Sequence, residues 1–209
     1  MFTGIVTDIG TVSARDCAKL KIAGHYEPAS MALGASIACD GCCLTVTAVK
    51  EGADGGAVFE VDVSNETAAR TTLGRWKQGT RINLERSLSF GSELGGHLMT
   101  GHIDGLARVT EMTEDDDSVR FVLDAPTEFA AFIALKGSVA LNGVSLTVNE
   151  VNGARFGVNI IPYTLTHTTW GDRKPGDLVN LEVDLLARYV ERIAAGRLTA
   201  SRPLSEQDR

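Results

Sequence analysis

Along most of the chain, apolar and β-branched residues come in short runs punctuated by Gly, Asp and Asn, the pattern of strands joined by tight turns. In the first half the runs fall at Gly4–Val12, Ser36–Ala38, Leu44–Val49, Val58–Val63 and Arg81–Leu84. Asp40-Gly41 and Asn142-Gly143 are tight-turn or bulge dipeptides, while Glu51 to Gly56 and Asn152-Gly153 join hairpin strands. Asp115, Asp116 and Asp117 lie between Val109 and Val119 and read as a solvated turn rather than a metal cluster. Many short strands at this spacing suggest small closed barrels, which leave no edge strand exposed. Helical pattern is sparse. Pro126 to Ile133 places helix formers behind a proline suited to a first turn, and Pro28 to Leu33 is a weaker counterpart. The strongest helix is the last, with Leu186, Tyr189, Val190 and Ile193 at helical spacing and an expected end near Gly196. Residues 199–209 read as a polar, frayed tail.

The pattern occurs twice. Ser36-Ile37-Ala38-Cys39-Asp40-Gly41-Cys42-Cys43-Leu44-Thr45-Val46 returns as Ser138-Val139-Ala140-Leu141-Asn142-Gly143-Val144-Ser145-Leu146-Thr147-Val148. Phe2-Thr3-Gly4-Ile5-Val6 matches Met99-Thr100-Gly101-His102-Ile103, and Phe59 to Val63 matches Phe156 to Ile160. Gly79 to Glu85 matches Gly176 to Glu182, in the same order, so the chain is a tandem duplication. The expected division is 1–96, 97–185, and a C-terminal helix and tail at 186–209. The helix has no equivalent after the first repeat, and its apolar stripe asks for another surface, so self-association is expected.

Composition narrows the class. The 209 residues are 44% hydrophobic and 22% charged, ordinary for a globular protein. A net charge of −7 lacks the basic footprint of nucleic-acid binding. No apolar run approaches the roughly 20 residues that span a bilayer, and the start has no basic region of a signal peptide. A cytoplasmic protein is expected, its four Cys being reduced thiols.

Comparing the copies sorts the candidate residues. Cys39 aligns with Leu141 and Cys42 with Val144, so both read as small core hydrophobes; a zinc site would want a second pair. Cys43 aligns with Ser145, and Thr45 and Thr147 follow on the same strand face. That face is either a functional polar row or a Thr-rich surface turned to water. His102 aligns with Ile5 and is a candidate for proton exchange, against the plainer reading of a structural histidine. His97 lies five residues earlier, without a third ligand for a metal, and His25 and His167 read as incidental. Lys136 replaces Gly34 and Asp184 replaces Ser87, either as solvated charges or as equipment of the second copy. Two related pockets, of which only the second carries His102, Lys136 and Asp184, suit a reaction between two molecules of one substrate.

The stretches Met1 to Val6, Gly41 to Val46, Gly95-Gly96-His97-Leu98-Met99-Thr100-Gly101-His102 and Gly143 to Val148 resemble the riboflavin synthase family, alpha-chain type. Asn180 to Asp184 and the tail Ala187 to Arg192 also fit, so the likeness runs from Met1 to about Leu198. The resemblance implies an all-β fold of two six-stranded antiparallel Greek-key barrels, with C-terminal helices gathering three chains. It implies transfer of a four-carbon unit between two molecules of 6,7-dimethyl-8-ribityllumazine, giving riboflavin and 5-amino-6-ribitylaminouracil. No cofactor and no metal are implied, and association with lumazine synthase is a possible partnership. The site would lie between the N-terminal barrel of one chain and the C-terminal barrel of a neighbour. The family's substrate contacts carry over to Gly4, Ile5, Val6, Cys43, Leu44, Thr45, Asp62, Val63, Ser64, Asn65, Glu66 and Thr67. From the second copy they carry over to Gly101, His102, Ile103, Lys136, Ser145, Leu146, Thr147, Ile160, Ile161, Pro162, Tyr163, Thr164 and Leu165. Catalytic candidates are His102 for proton exchange, Cys43 or Ser145 at the nucleophile, and Asp184 as partner or second base. Some members carry Asn before the first Gly-Cys-Cys and Asp before the second Gly-x-Ser; here Asp40 and Asn142 are reversed, so Asn142 is left out of the catalytic set.

Two rivals compete with the enzyme. A lumazine- or flavin-binding protein of the same fold would look alike, since fold does not fix function. A flavin reductase module would want a dinucleotide domain, and no G-x-G-x-x-G follows a strand here.

Overall fold

The computed structural model describes residues 1–16 and 18–200. The first half forms strands β1 (Asp8–Asp16), β2 (Lys19–Gly24), β3 (Ser36–Cys39), β4 (Cys42–Glu51), β5 (Ala57–Asp62) and β6 (Arg81–Arg86). The second forms β7 (Gly105–Asp115), β8 (Ser118–Asp124), β9 (Ser138–Leu141), β10 (Val144–Asn152), β11 (Arg155–Ile160) and β12 (Leu178–Val183). Each set closes as an antiparallel barrel in the order first, second, fifth, fourth, third, sixth, the Greek-key arrangement expected. Short helices α1 (Asn65–Arg70) and α2 (Pro162–His167) follow β5 and β11, and α3 (Leu185–Ala200) ends the described chain.

Alternation decides what each strand buries. Cys42, Leu44 and Val46 of β4 turn inward, leaving Cys43, Thr45 and Thr47 outside; Val144, Leu146 and Val148 do the same in β10. Both strands break register at the same place, between Val46 and Ala48 and between Val148 and Glu150. Such bulges supply the extra twist that closing six strands requires. In the second core Trp170 meets Phe121 edge-on at 4.9 Å and donates its indole N–H to Leu141 O.

Several elements differ from the sequence pattern. The first strand starts at Asp8, not Gly4, because Thr3 and Gly4 are held by a side chain instead of a ladder. Lys19–Gly24 is a strand whose polar, exposed alternate positions concealed it. The segments after Pro28 and Pro126 are 3-10 turns, at Pro28–Ser30 and Thr127–Phe132. Helix α3 runs through Gly196 to Ala200, and the expected tail from 201 onward lies outside the described residues.

The barrels meet across an approximate two-fold axis. The Asp40-Gly41 and Asn142-Gly143 turns pack back to back: a Cβ on Gly41 would lie 2.7 Å from Gly143 N, and one on Gly143 2.6 Å from Gly41 N. Asn83 Nδ2 donates to Asn142 O at 2.9 Å, and its mate Asn180 Nδ2 donates to Asp40 O at 2.8 Å. Asn180 Oδ1 accepts from Thr72 N, and Asn83 Oδ1 accepts from Thr169 N. Both the Asn83 and the Asn180 amides are satisfied across the seam, which fixes the two barrels to each other.

Candidate active site

Each repeat is preceded by an arm, and each arm serves both barrels. Thr3 N and Oγ1 donate to Glu85 Oε1 at 2.7 Å, and Gly4 N donates to Glu85 Oε2 at 2.9 Å. Glu182 holds Thr100 and Gly101 in the same way. Burial pushes both carboxyls up, and the donors around each of them oppose that. Having been fastened to its own barrel, each arm then crosses over. Gly4 O accepts from Ser145 N at 2.9 Å, and Gly101 O accepts from Cys43 N at 2.8 Å. Gly4 (φ +78°) and Gly101 (φ +77°) sit in the left-handed region, and a Cβ on either would come within 2.6 Å of the facing Ser145 or Cys43 Cβ. Phe2 and Met99 bridge the arms where they pass. Val6 packs on the C-terminal core and Ile103 on the N-terminal core.

The crossing builds two clefts of mixed parentage. The first, of 490 Å³, lies on the N-terminal barrel: Cys43, Glu66 and Thr67 face Gly101, His102, Ile103 and Asp104. The second, of 540 Å³, lies between the halves: Val6, Thr7, Asp8, His25 and Arg81 of the first face Tyr163, Thr166 and His167 of α2. There Tyr163 stacks on His167 at 3.9 Å, and His25 Nδ1 lies 2.8 Å from Asp8 Oδ1, which raises the imidazole pKa.

Placement of the candidates overturns one expectation. His102, Lys136 and Asp184 do not equip one pocket. The crossing sends His102 to the cleft of Cys43. Lys136 stays on the C-terminal barrel, its Nζ 3.0 Å from Asn149 Oδ1. Asp184 caps the first turn of α3, its Oδ1 accepting from Leu186 N at 2.9 Å. The side chains of Leu44, Val63, Leu146 and Ile160 are buried in the cores, so these positions offer a ligand only backbone. Ser64 caps α1 by accepting from Thr67 N, Asp62 pairs with Lys19, Glu66 pairs with Arg70, and Asn65 is exposed. Ile5, Ile161, Pro162 and Tyr163 are exposed beside half-buried Thr164 and Leu165. Thr45 and Thr147 lie in the outward rows of Cys43 and Ser145.

The partner of Ser145 is His97. Its Nδ1 stands 2.7 Å from Ser145 Oγ, the ring is 9% exposed, and Nε2 has no partner among the described residues. Burial lowers its pKa, with the charge of Asp184 pulling the other way. A neutral imidazole can accept the serine proton, so this pair can activate a hydroxyl or an added water. Sequence comparison missed it because His97 precedes the repeat and has no aligned mate. The available signal was Gly96: a Cβ there would lie 2.1 Å from Thr3 O and 2.9 Å from Ser145 Oγ. Cys39 and Cys42 are core thiols that burial pushes up, Cys42 to about 12. No metal-binding cluster occurs among the described residues.

Comparison with known proteins fits this geometry. The lumazine binding domain matches the chain twice, at residues 3–87 and 100–184. The riboflavin synthase of Brucella abortus is 52% identical over 93% of this chain and 98% of its own length. The chain belongs to the riboflavin synthase family. The riboflavin synthase of Mycobacterium tuberculosis (H37Rv) is 40% identical over 92% of the chain and 98% of its own length. Among solved structures, LumP complexed with riboflavin superposes with a TM-score of 0.73 at 28% identity, covering 88% of this chain and 99% of that one. Within this riboflavin synthase frame, each matched repeat is met by the arm of the other, Ser145 N by Gly4 O and Cys43 N by Gly101 O.

Proposed function

We propose that the chain catalyses the dismutation of 6,7-dimethyl-8-ribityllumazine, moving a four-carbon unit from one molecule to a second to give riboflavin and 5-amino-6-ribitylaminouracil. The observation that carries this reading is a pair of clefts, each lined by both halves of the chain and carrying different polar groups, in a chain half identical to a riboflavin synthase. One molecule must lose a proton from its C7 methyl while the other takes a nucleophile at C7. Ser145 with His97, beside the Gly4 arm, supplies a hydroxyl or water with a base next to it, and His102 supplies an exposed imidazole in the cleft of Cys43. The two products together hold every atom of two substrates, so no oxidant or reductant enters.

Both polar rows lie on outer barrel faces, so a single chain leaves its clefts open. Helix α3 presents Leu186, Tyr189, Val190 and Ile193 to solvent, 58–68% exposed. That stripe supports a homotrimer in which the N-terminal barrel of one chain faces the C-terminal barrel of the next. The deciding assay mixes purified protein with the lumazine and follows flavin absorbance. Binding without flavin formation would leave the rival reading of a carrier, which the LumP complexes with lumazine and flavin would then favour.

A further inference from the structure

The first turn of α3 is fixed with unusual care. Asp184 Oδ1 accepts from Leu186 N, and Arg188 N donates to Asp184 O at 3.3 Å. From that turn Arg188 reaches back to Asp104, its guanidinium donating to Oδ1 at 2.6 Å. The Asp104 side chain is 5% exposed, and its Oδ2 accepts from Val183 N at 2.8 Å. The anchor is therefore a carboxylate held at both oxygens. The Arg188 side chain keeps 43% of its surface and lines the cleft with Cys43, His102, Glu66 and Thr67. A guanidinium has five N–H donors, and the Asp104 contact takes one of them.

The other cleft has no counterpart of this pair: its arginine, Arg81, comes from β6 and pairs with the exposed carboxylate of Asp172. Thr7 stands where the second copy has Asp104, and it hydrogen-bonds Tyr26 instead. Beyond β6 the chain enters the connector between the barrels, with no helix to carry an arginine. This ion pair is thus an asymmetry written into a duplicated frame.

We propose that Arg188 is a substrate-binding residue that makes α3 a wall of the N-terminal cleft and distinguishes the two lumazine sites. This rests on the reading above. A fixed cation with spare donors fits a carbonyl oxygen of the pyrimidinedione and favours the form of that molecule that has given up its C7-methyl proton, whose negative charge spreads onto the ring carbonyls. The N-terminal cleft, with His102 beside it to take the proton, then holds the molecule that is deprotonated.

The test is a fluorescence titration of the full-length protein with 6,7-dimethyl-8-ribityllumazine, with sedimentation velocity on the same samples. Arg188→Ala should weaken one class of site about tenfold, leave the other class unchanged and keep the oligomer. Tyr163→Ala should weaken the complementary class, which assigns the two. Arg188→Ala should also slow deuterium exchange into the C7 methyl of bound lumazine, with Arg188→Lys recovering part of it. Unchanged affinities and exchange in Arg188→Ala would overturn the proposal, as would dissociation of the oligomer, which would make the arginine a helix-docking residue. Failure of the unmodified protein to bind the lumazine would instead remove the parent reading.

Discussion

Ser145 Oγ and His97 Nδ1 stand 2.7 Å apart, joining a strand of the second barrel to the connector between the barrels. His97→Gln should lower turnover by about 10²- to 10³-fold with a much smaller effect on lumazine binding. Burial depresses the His97 pKa below 6.5, so the neutral base is lost only as pH falls beneath the ordinary imidazole range. The pH–rate profile should therefore carry an acid limb below 6.5 that disappears in His97→Gln. A limb that persists in the variant assigns the titration to another group.

His102 lies in the cleft of Cys43 and is exposed. His102→Gln should slow turnover more than it weakens binding, since a lost proton acceptor affects the transition state first. The measurement is kcat and KM against lumazine affinity. An unchanged kcat takes His102 out of the chemistry.

Asp40 gives a stability prediction with a definite sign. Burial pushes its carboxyl from 3.8 to about 7, opposed by the Asn83 N–H and by Arg173. The folded state thus holds this proton over a range where the unfolded chain has lost it. Stability is full below about 4, falls as pH rises toward 7, and stays level above. The charged form is disfavoured by up to about 4 kcal/mol. Asn142 occupies the mate position with the same left-handed backbone and accepts from Asn180 N, so an amide fits there. Asp40→Asn should raise the melting temperature at pH 8 and have no effect near pH 3.5. Equal stabilisation at both pH values would assign the effect to packing.

The exposed stripe on α3 predicts an assembly requirement. Tyr189→Glu with Ile193→Glu, which leaves Arg188 in place, should give monomers that bind lumazine yet turn over at least tenfold more slowly, because each cleft would lack a facing barrel. Sedimentation and flavin formation test this together. A fully active monomer contradicts a site shared between chains.

The duplication made the two barrels legible. Strand runs such as Val58–Val63 and the Asp-Gly and Asn-Gly turns carry their own chemistry, and the structure closes them as that pattern implies. Lys19–Gly24 was hidden because Lys19 and Lys21 occupy its outward positions, breaking the apolar run. The locations of His102 and His97 were hidden for a different reason. A repeat aligned with itself suggests that each copy keeps its own residues, and nothing local to Thr100-Gly101-His102 says that Gly101 O will pair with Cys43 N, in the opposite barrel. Likewise Asp40 looked like a displaced acid, and only the structure shows it as one of two turn residues that each accept from the last strand of their own barrel, Asp40 from Asn83 N and Asn142 from Asn180 N.

The crossed arms bear on how such a chain came to exist. Thr3 and Gly4 are bound to Glu85 within residues 1–87, while the carbonyl of Gly4 is aimed at a strand that another copy of that segment would equally provide. A half-length ancestor could complete itself only by exchanging arms with its twin. Two-fold pairing would then predate the fusion, and joining the genes would have freed each former twin to drift toward a different share of the chemistry.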